Sequence, residues 1–175
     1  MAALSLSRPD PSEYGSFYEG YVARATGDVF ELLGEQRSEI EALRSLSAAQ
    51  ALHRYEPGKW SVKEVIGHMH DAELVFAYRM LRIARGDTTP LAGFDQQPYV
   101  DNAHFDRVSL DDLVDGLLTA RAATLSLANQ LDEGAWARTG VASGFAVSAR
   151  AIVFIIAGHT SHHLHILRDR YGLRA

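Results

Sequence analysis

The sequence predicts an all-α protein, a four-helix bundle with one long crossover connection. Four stretches carry apolar residues at helical spacing, each stretch begins at a capping residue, and two of them end at a glycine. A chain of 175 residues with 47% hydrophobic content is long enough for one such domain with a sizeable core. Four amphipathic helices joined by connections of unequal length are typical of a bundle with a crossover.

The segment before the first helix is predicted to be a lead-in. Residues 1–27 contain Pro9, Pro11 and several glycines and serines, so we expect this lead-in to be packed or partly extended and the bundle to span residues 28–172. The first helix follows Asp28, whose carboxylate can cap it, and reads VFELLGEQRSEIEALRSL. Pro57 and Gly58 indicate the turn that ends this region.

The second helix begins at Ser61, where SVKE forms a capping box with Glu64, and ends at Gly86. Trp60 precedes it, in the position of a hydrophobic staple. The connection that follows has no helical periodicity, and connections of this length in compact domains are usually functional or well packed. We therefore expect it to form a wall or lid over a functional site. Its candidate residues are Phe94, Asp95, Tyr99, Asn102 and His104.

The third helix is predicted to begin at Ser109, where SLDD gives a second capping pattern, and to continue through Leu131. A glycine-containing loop, DEGAWARTGVASGFAVS, comes next, and we expect a short extended excursion around Trp136. The fourth helix begins at Ser148 and ends at Gly172.

Composition excludes several classes of protein. The chain has no cysteine, which rules out disulfides, thiolate metal sites and a cysteine nucleophile. Its formal net charge is −5 and it has no long basic block, so a nucleic-acid partner is not expected. The N-terminus lacks a signal-peptide pattern, and the apolar run AIVFIIAG is far shorter than the roughly 20 residues of a membrane span. We expect a soluble, cytoplasmic protein with no membrane partner.

Four of the eight histidines lie in AGHTSHHLHIL, at residues 157–167. His159 and His163 share one face of the fourth helix with isoleucines, so both are expected to point into the core. They lie about 6 Å apart along the axis, so both rings can reach one ion. His162 falls at the edge of this face and His165 points away from it.

A third candidate ligand lies on the second helix, in GHMHDAE. His68 falls on the inward face, whereas His70 is expected to face solvent. Asp71 is either a hydrogen-bond acceptor behind His68 or a surface carboxylate. Three neutral imidazoles that leave positions open for water would form a reactive metal site. On spacing alone, core histidines satisfied by hydrogen bonds remain the alternative.

Several charged residues receive more ordinary interpretations. Glu73 and Arg121 are predicted on polar, solvent-facing surfaces of their helices. An inward Arg79 would need a carboxylate, for which Asp95 is the candidate, and it could also bind an anionic substrate group. His104 is expected at the surface, although an inward fold of its loop would make it a fourth ligand.

Two segments resemble the signature regions of the DinB-like metal-binding superfamily. They are GKWSVKEVIGHMHDAELVFAYRMLRIARGD at residues 58–87 and AGHTSHHLHILRDRY at residues 157–171. TPLAGFDQQPYVDNAHF and WARTGVASGFAVSARAIVFIIAGH match the pattern of one subgroup of that superfamily. The resemblance extends from about Tyr14 to Tyr171, with the motifs in the expected order.

The resemblance implies a four-helix bundle that holds one divalent transition metal through three histidines, which fall on His68, His159 and His163 here. Zinc or nickel is the expected metal, with iron or manganese as alternatives. The family is similar to the bacillithiol- and mycothiol-dependent transferases, so the resemblance implies thiol S-transfer to small electrophilic molecules, with a low-molecular-weight thiol as second substrate. A metal-dependent hydrolase and a non-catalytic metal-binding stress-response protein are the alternatives. A homodimer is also expected.

Overall fold

A computed structural model describes residues 6–173. In chain order the helices are α1 (Glu19–Arg24), α2 (Val29–Ala42), α3 (Ala48–Ala51), α4 (Val62–Ala84), α5 (Gln96–Ala103), α6 (Leu110–Ala128), α7 (Glu133–Ala137) and α8 (Ala149–Asp169). Two strands, β1 (Thr139–Ala142) and β2 (Phe145–Ser148), form an antiparallel hairpin. The four long helices are α2, α4, α6 and α8, as the four-helix prediction requires.

The long helices form a bundle in which α4 packs against α6 and α8, and α2 packs against the same two helices. Each begins at the predicted cap. The carboxylate of Asp28 accepts from the backbone N–H of Phe30 at 2.9 Å, and Ser61 makes the reciprocal capping box with Glu64. Gly86 has a φ of +81°, the left-handed conformation that lets the chain leave α4. The predicted all-α bundle is confirmed.

The apolar core has two parts, and the inward histidines lie where they meet. Along α4, Met69 belongs to one part and Ala72 to the other. Along α8, Ala157 belongs to one part and Leu164 to the other. His159 and His163 lie between these two positions of α8, and His68 directly precedes Met69 on α4. The polar groups therefore lie near the boundary between the two parts of the core.

A buried ion pair contradicts two of the sequence predictions. Glu73 and Arg121 are 2% and 0% exposed, so the expectation that they face solvent is wrong. The guanidinium donates to both carboxylate oxygens of Glu73, at 2.8 and 2.9 Å. Such a fork-to-fork pair neutralises both charges and makes the burial tolerable.

The same guanidinium links the four helices of the bundle. Arg121 of α6 also donates to Gln36 Oε1 and the Leu33 carbonyl of α2, at 3.0 and 3.2 Å, and to Thr160 Oγ1 of α8 at 2.9 Å. Glu73 supplies the contact with α4. Thr160 adjoins His159, so this network also fixes α8 beside the buried histidines.

The described part of the lead-in, residues 6–27, packs on the bundle through α1, which lies against α8, while residues 1–5 lie outside the described residues. Tyr18 and Val22 are buried there. A side chain at Gly158 of α8 would place its Cβ 1.8 Å from the carbonyl oxygen of Tyr21, so the two backbones approach closely only because residue 158 is glycine. Tyr21 is thereby held over the part of α8 that carries His159.

The connections contain structure that the periodicity did not reveal. The segment predicted to be without a helix includes α5, whose N-terminus is capped by Asp95. The extended excursion follows Trp136 instead of surrounding it, since Trp136 is buried in α7 and the hairpin begins at Thr139. Within residues 6–173 no helix is both long and apolar enough to cross a membrane.

Candidate metal centre

Three buried histidines meet in the middle of the bundle. His68 comes from α4, and His159 and His163 come from successive turns of α8. His159 Nε2 lies 3.0 Å from His68 Nε2 and 3.1 Å from His163 Nε2. One ligand nitrogen from each ring falls within 4.8 Å of the others. The structure therefore brings together the three residues that the sequence singled out.

Hydrogen bonding alone does not satisfy these contacts. A neutral imidazole Nε2 carries either one hydrogen or one lone pair, and either one points along a single direction in the ring plane. The Nε2 of His159 can therefore make one hydrogen bond, yet it has two nitrogen neighbours at 3.0 and 3.1 Å. A cation at the common point would use the lone pairs of all three rings. Tetrahedral zinc with Zn–N distances of 2.0–2.1 Å separates its nitrogen ligands by about 3.3 Å, close to the observed values.

Burial keeps the three imidazoles neutral. It lowers the pKa of His68 to about 4, although the negative charge of Asp71 opposes this shift. Burial is also the main reason that the pKa values of His159 and His163 lie well below the usual range, and the neighbouring histidines lower them further. At neutral pH all three rings offer lone pairs to a metal without first losing a proton.

The other two histidines of α8 lie outside the cluster, as their spacing indicated. His162 is partly buried at its edge, with its ring centroid 5.0 Å from that of His163. Burial lowers the pKa of His162 as well. His165 is exposed and lies 3.1 Å from Asp169.

The remaining candidates around α4 and α5 do not join the cluster. Asp71 Oδ1 lies 3.4 Å from His70 Nδ1, so its direct neighbour is His70 and not His68. His104 is exposed, with a φ of +52° at the end of α5, and is not placed as a fourth ligand. Trp60 does more than precede the helix, because its ring lies 4.9 Å from that of His68.

A cavity of about 210 Å³ opens onto His68 and His159. Its walls are strongly aromatic. The aromatic residues that line it are Phe17, Tyr18, Tyr21, Phe76, Phe94 and Phe145. Gly93, Phe94 and Gln96 come from the connection that was expected to cover the site, while the tyrosines come from the N-terminal segment. A small molecule in this cavity would contact the imidazoles and an apolar wall at the same time.

A second cavity, of about 260 Å³, reaches His163. Tyr55, Trp60, Gln97 and Tyr171 are among the residues that line it. Because this cavity meets a different histidine from the first, the cluster can be approached along two routes. Each of the two cavities has room for a small molecule.

Sequence reasoning missed the contribution of the N-terminal segment. The ring centroid of Tyr21 lies 5.3 Å from that of His159 and 5.5 Å from that of His162. The sequence did contain a signal for such close packing, because a glycine directly precedes the first histidine in both GHMHDAE and AGHTSHHLHIL. Gly67 admits the ring of Phe105 against α4, as Gly158 admits the backbone of Tyr21 against α8.

The prediction that Asp95 forms an ion pair with Arg79 is also wrong. Arg79 does point inward, but Asp95 uses its carboxylate to cap α5 through the backbone N–H of Gln97 at 3.0 Å. The guanidinium donates instead to the carbonyl of Ala92 at 2.8 Å and to Ser143 Oγ at 3.0 Å. Its cationic charge therefore lies near the cavity, and no carboxylate within residues 6–173 forms an ion pair with it.

A four-helix bundle with three convergent, neutral imidazoles belongs to the class of proteins whose core side chains can bind a divalent metal. The chain belongs to the DinB superfamily, whose sequence pattern matches residues 32–167. No curated protein sequence gives a significant match.

Two solved structures share the fold. YfiT from Bacillus subtilis, described as a probable metal-dependent hydrolase with an unusual four-helix bundle topology, is similar with a TM-score of 0.74 and 15% identity, over 96% of this chain and 95% of that one. A mycothiol-dependent maleylpyruvate isomerase is similar with a TM-score of 0.63 and 17% identity. That match covers 90% of this chain but 62% of the isomerase.

Proposed function

We propose that this protein is a metal-dependent enzyme that transfers a low-molecular-weight thiol to a small electrophilic molecule, using one divalent transition metal bound by His68, His159 and His163. The observation that carries the proposal is the convergence of three Nε2 atoms, two of which lie 3.0 and 3.1 Å from the third. Zinc or nickel suits these imidazole ligands, with iron or manganese as alternatives.

The protein side chains have separate tasks in this proposal. The three imidazoles, kept neutral by burial, hold the ion and leave positions open, which distinguishes a reactive site from a closed structural one. A divalent metal there would lower the pKa of a bound thiol or water and so supply a nucleophile at neutral pH. The aromatic walls exclude water from the first cavity and position an apolar substrate beside His68 and His159.

The two cavities favour transfer over hydrolysis. Thiol transfer needs two small molecules at one site, and the histidine cluster is reached by one cavity at His68 and His159 and by another at His163. Hydrolysis needs one organic substrate and water, and it is the second candidate because YfiT is described as a probable metal-dependent hydrolase. The structurally similar maleylpyruvate isomerase is described as mycothiol-dependent, and mycothiol is a low-molecular-weight thiol, which supports a thiol as the second substrate here.

The test is a comparison of S-conjugation rates for a model electrophile and several low-molecular-weight thiols, with zinc- or nickel-loaded protein. We expect wild type to exceed the uncatalysed rate and His163→Ala to fall to it. The matched control is His165→Ala, which removes an exposed histidine of the same helix and should retain the wild-type rate. Background rates for every wild-type combination would contradict thiol transfer. Ester hydrolysis measured with the same three proteins then tests the second candidate.

We also propose that the protein forms a homodimer. Leu74, Tyr78 and Leu81 are exposed at helical spacing on α4, an apolar stripe that a second copy could cover. Elution at the mass of one chain, unchanged by concentration, would contradict this proposal.

A further inference from the structure

Arg79 is a buried cation without a negative partner. Its residue is 3% exposed, yet no acidic side chain in residues 6–173 forms an ion pair with it. Its contacts are a carbonyl, a serine hydroxyl and, at 3.5 Å, the phenol oxygen of Tyr18. Arg121, the other arginine that is buried among the described residues, forms an ion pair with Glu73. Burying a guanidinium is costly unless something compensates its charge.

Aromatic rings provide part of that compensation. The guanidinium carbon lies 5.7 Å from the ring centroid of Phe76 and 5.8 Å from that of Phe94, close enough for cation–π attraction. Both rings line the cavity that opens onto His68 and His159. The positive charge therefore lies directly behind the cavity wall.

Two hydroxyl groups stand between this charge and the cavity. Ser143 Oγ accepts from Arg79 at 3.0 Å, and the phenol oxygen of Tyr18 lies at the outer limit of an accepting contact. A hydroxyl that accepts through its lone pair keeps one O–H hydrogen to donate. Within the described chain neither hydroxyl has an acceptor for that hydrogen, and both residues line the cavity.

The backbone at Ser143 adds an independent observation. Ser143 and Gly144 form the two-residue turn of the hairpin, with φ values of +55° and +82°. Glycine or asparagine is the usual choice where both residues of such a turn have positive φ. A serine at the first position is conformationally disfavoured, and it provides the hydroxyl that contacts Arg79.

We infer that this end of the cavity is a subsite for the carboxylate group of the substrate, formed by the hydroxyls of Tyr18 and Ser143 and by the charge of Arg79. Two O–H donors supported by one cation match a singly charged, planar oxyanion. The aromatic walls match an unsaturated or aromatic body between that group and the histidines. The substrate is therefore a small carboxylic acid with an apolar body. This inference rests on the proposed function for the chemistry at the far end of the cavity.

A purely structural role for Arg79 makes a different prediction. In that case the guanidinium only links the Ala92 carbonyl to the hairpin, and removing either hydroxyl leaves ligand binding unchanged. Tyr18→Phe and Ser143→Gly separate the two roles. The first keeps the ring, and the second removes the hydroxyl while relieving the positive φ of residue 143.

The experiment compares binding of 3-phenylpropanoate with that of 3-phenylpropanamide, by calorimetry, in zinc-loaded and in metal-free protein. We expect wild type to bind the acid at least about tenfold more tightly than the amide in both forms. Arg79→Met should abolish this preference, and Tyr18→Phe and Ser143→Gly should each reduce it by about threefold or more. The matched controls are Arg82→Met on the same helix and Tyr14→Phe, which lies outside the cavity; both should keep the preference.

An acid preference that is absent in wild type would overturn the inference. So would a preference that disappears on metal removal and is unaffected by the three substitutions, because the carboxylate would then bind the metal alone. If Arg79→Met does not fold, as judged by circular dichroism, Tyr18→Phe and Ser143→Gly test the subsite, and an unchanged acid preference in both would overturn it. Failure of metal uptake contradicts the proposed function but not the subsite, whose acid preference is measured separately in metal-free protein.

Discussion

His159 is the residue on which the interpretation of the histidine cluster depends. Its Nε2 has two nitrogen neighbours at distances typical of hydrogen bonds, while its chemistry allows one such bond. Spacing on a helix could predict that His159 and His163 share a face, but it could not predict that His68 on another helix meets the same point. That meeting depends on the packing of α4 against α8.

The lowered pKa values predict how the metal-free protein responds to pH. The folded pKa of His68 is about 4, against an ordinary value of 6.5, so between these values the unfolded chain binds more protons than the folded one. The free energy of unfolding should therefore fall as the pH drops from about 6.5 towards 4, by at most about 3 kcal/mol from His68 alone. Above about pH 7.5 the imidazole of His68 is neutral in both states, and this residue contributes almost no pH dependence.

Urea unfolding of metal-free protein at pH 7 and pH 5 measures this effect. His68→Gln should show a smaller difference between the two pH values than wild type, and His165→Gln, which changes an exposed histidine, should match wild type. Equal free energies of unfolding for wild type at both pH values would contradict the lowered pKa of the buried imidazoles.

At the scale of elements, the sequence predicts where the long helices begin better than it predicts where they end or where short helices form; α6, for example, ends at Ala128 and not at Leu131. Asp28, Ser61, Ser109 and Ser148 each accept a hydrogen bond from the first turn of a long helix, because capping is a local interaction that the sequence records directly. By contrast, α1 and α5 have 6 and 8 residues, too few to establish a periodic pattern. Such short helices depend on tertiary packing.

The contact between α1 and α8 gives a prediction about Gly158. In Gly158→Ala the new Cβ would meet the backbone of Tyr21, which has no flexible end to move aside, so α1 must shift. We expect a loss of stability of about 1–3 kcal/mol or more. Displacement of Tyr21 from His159 should also weaken metal binding. Thermal unfolding and a metal titration measure the two effects.

Gly34→Ala is the matched control for this substitution. Gly34 lies within α2, and an added Cβ there meets nothing within 4 Å. Alanine should stabilise that helix by about 0.5–1 kcal/mol. If Gly158→Ala melted at the same temperature as Gly34→Ala, the close approach of α1 and α8 would be contradicted.

At the scale of the whole molecule, the Arg121 network joins all four long helices through one side chain. The helical spacing of Arg121 and Glu73 could have predicted that both charges are buried. Arg121 lies four residues after buried Leu117, and Glu73 lies four residues after buried Met69, so both occupy inward faces. Their charge suggested exposure, whereas in the fold each neutralises the other. Periodicity identifies the buried face but not which charged residues have partners within it.

Because the two charges compensate each other, replacing either one alone with an apolar residue should destabilise the protein more than replacing both together. Arg121→Met leaves the carboxylate of Glu73 buried without its ion-pair partner and should reduce the free energy of unfolding by about 3–5 kcal/mol. In the double variant Arg121→Met, Glu73→Met no buried charge remains, so much of that loss should be recovered. Urea unfolding of the wild type, both single variants and the double variant measures the coupling. A double variant whose loss equals the sum of the two single losses would contradict a paired, buried interaction.

We propose that the bundle binds one divalent metal through three histidines from two helices. Elemental analysis of protein purified without a histidine tag, before and after titration with zinc or nickel, measures this binding. We predict about one equivalent of metal per chain in wild type and in His165→Ala, and loss of tight binding in His68→Ala, His159→Ala and His163→Ala. Wild-type protein with less than about a tenth of an equivalent of metal, and with no uptake on titration, would show that the three histidines do not form a metal site.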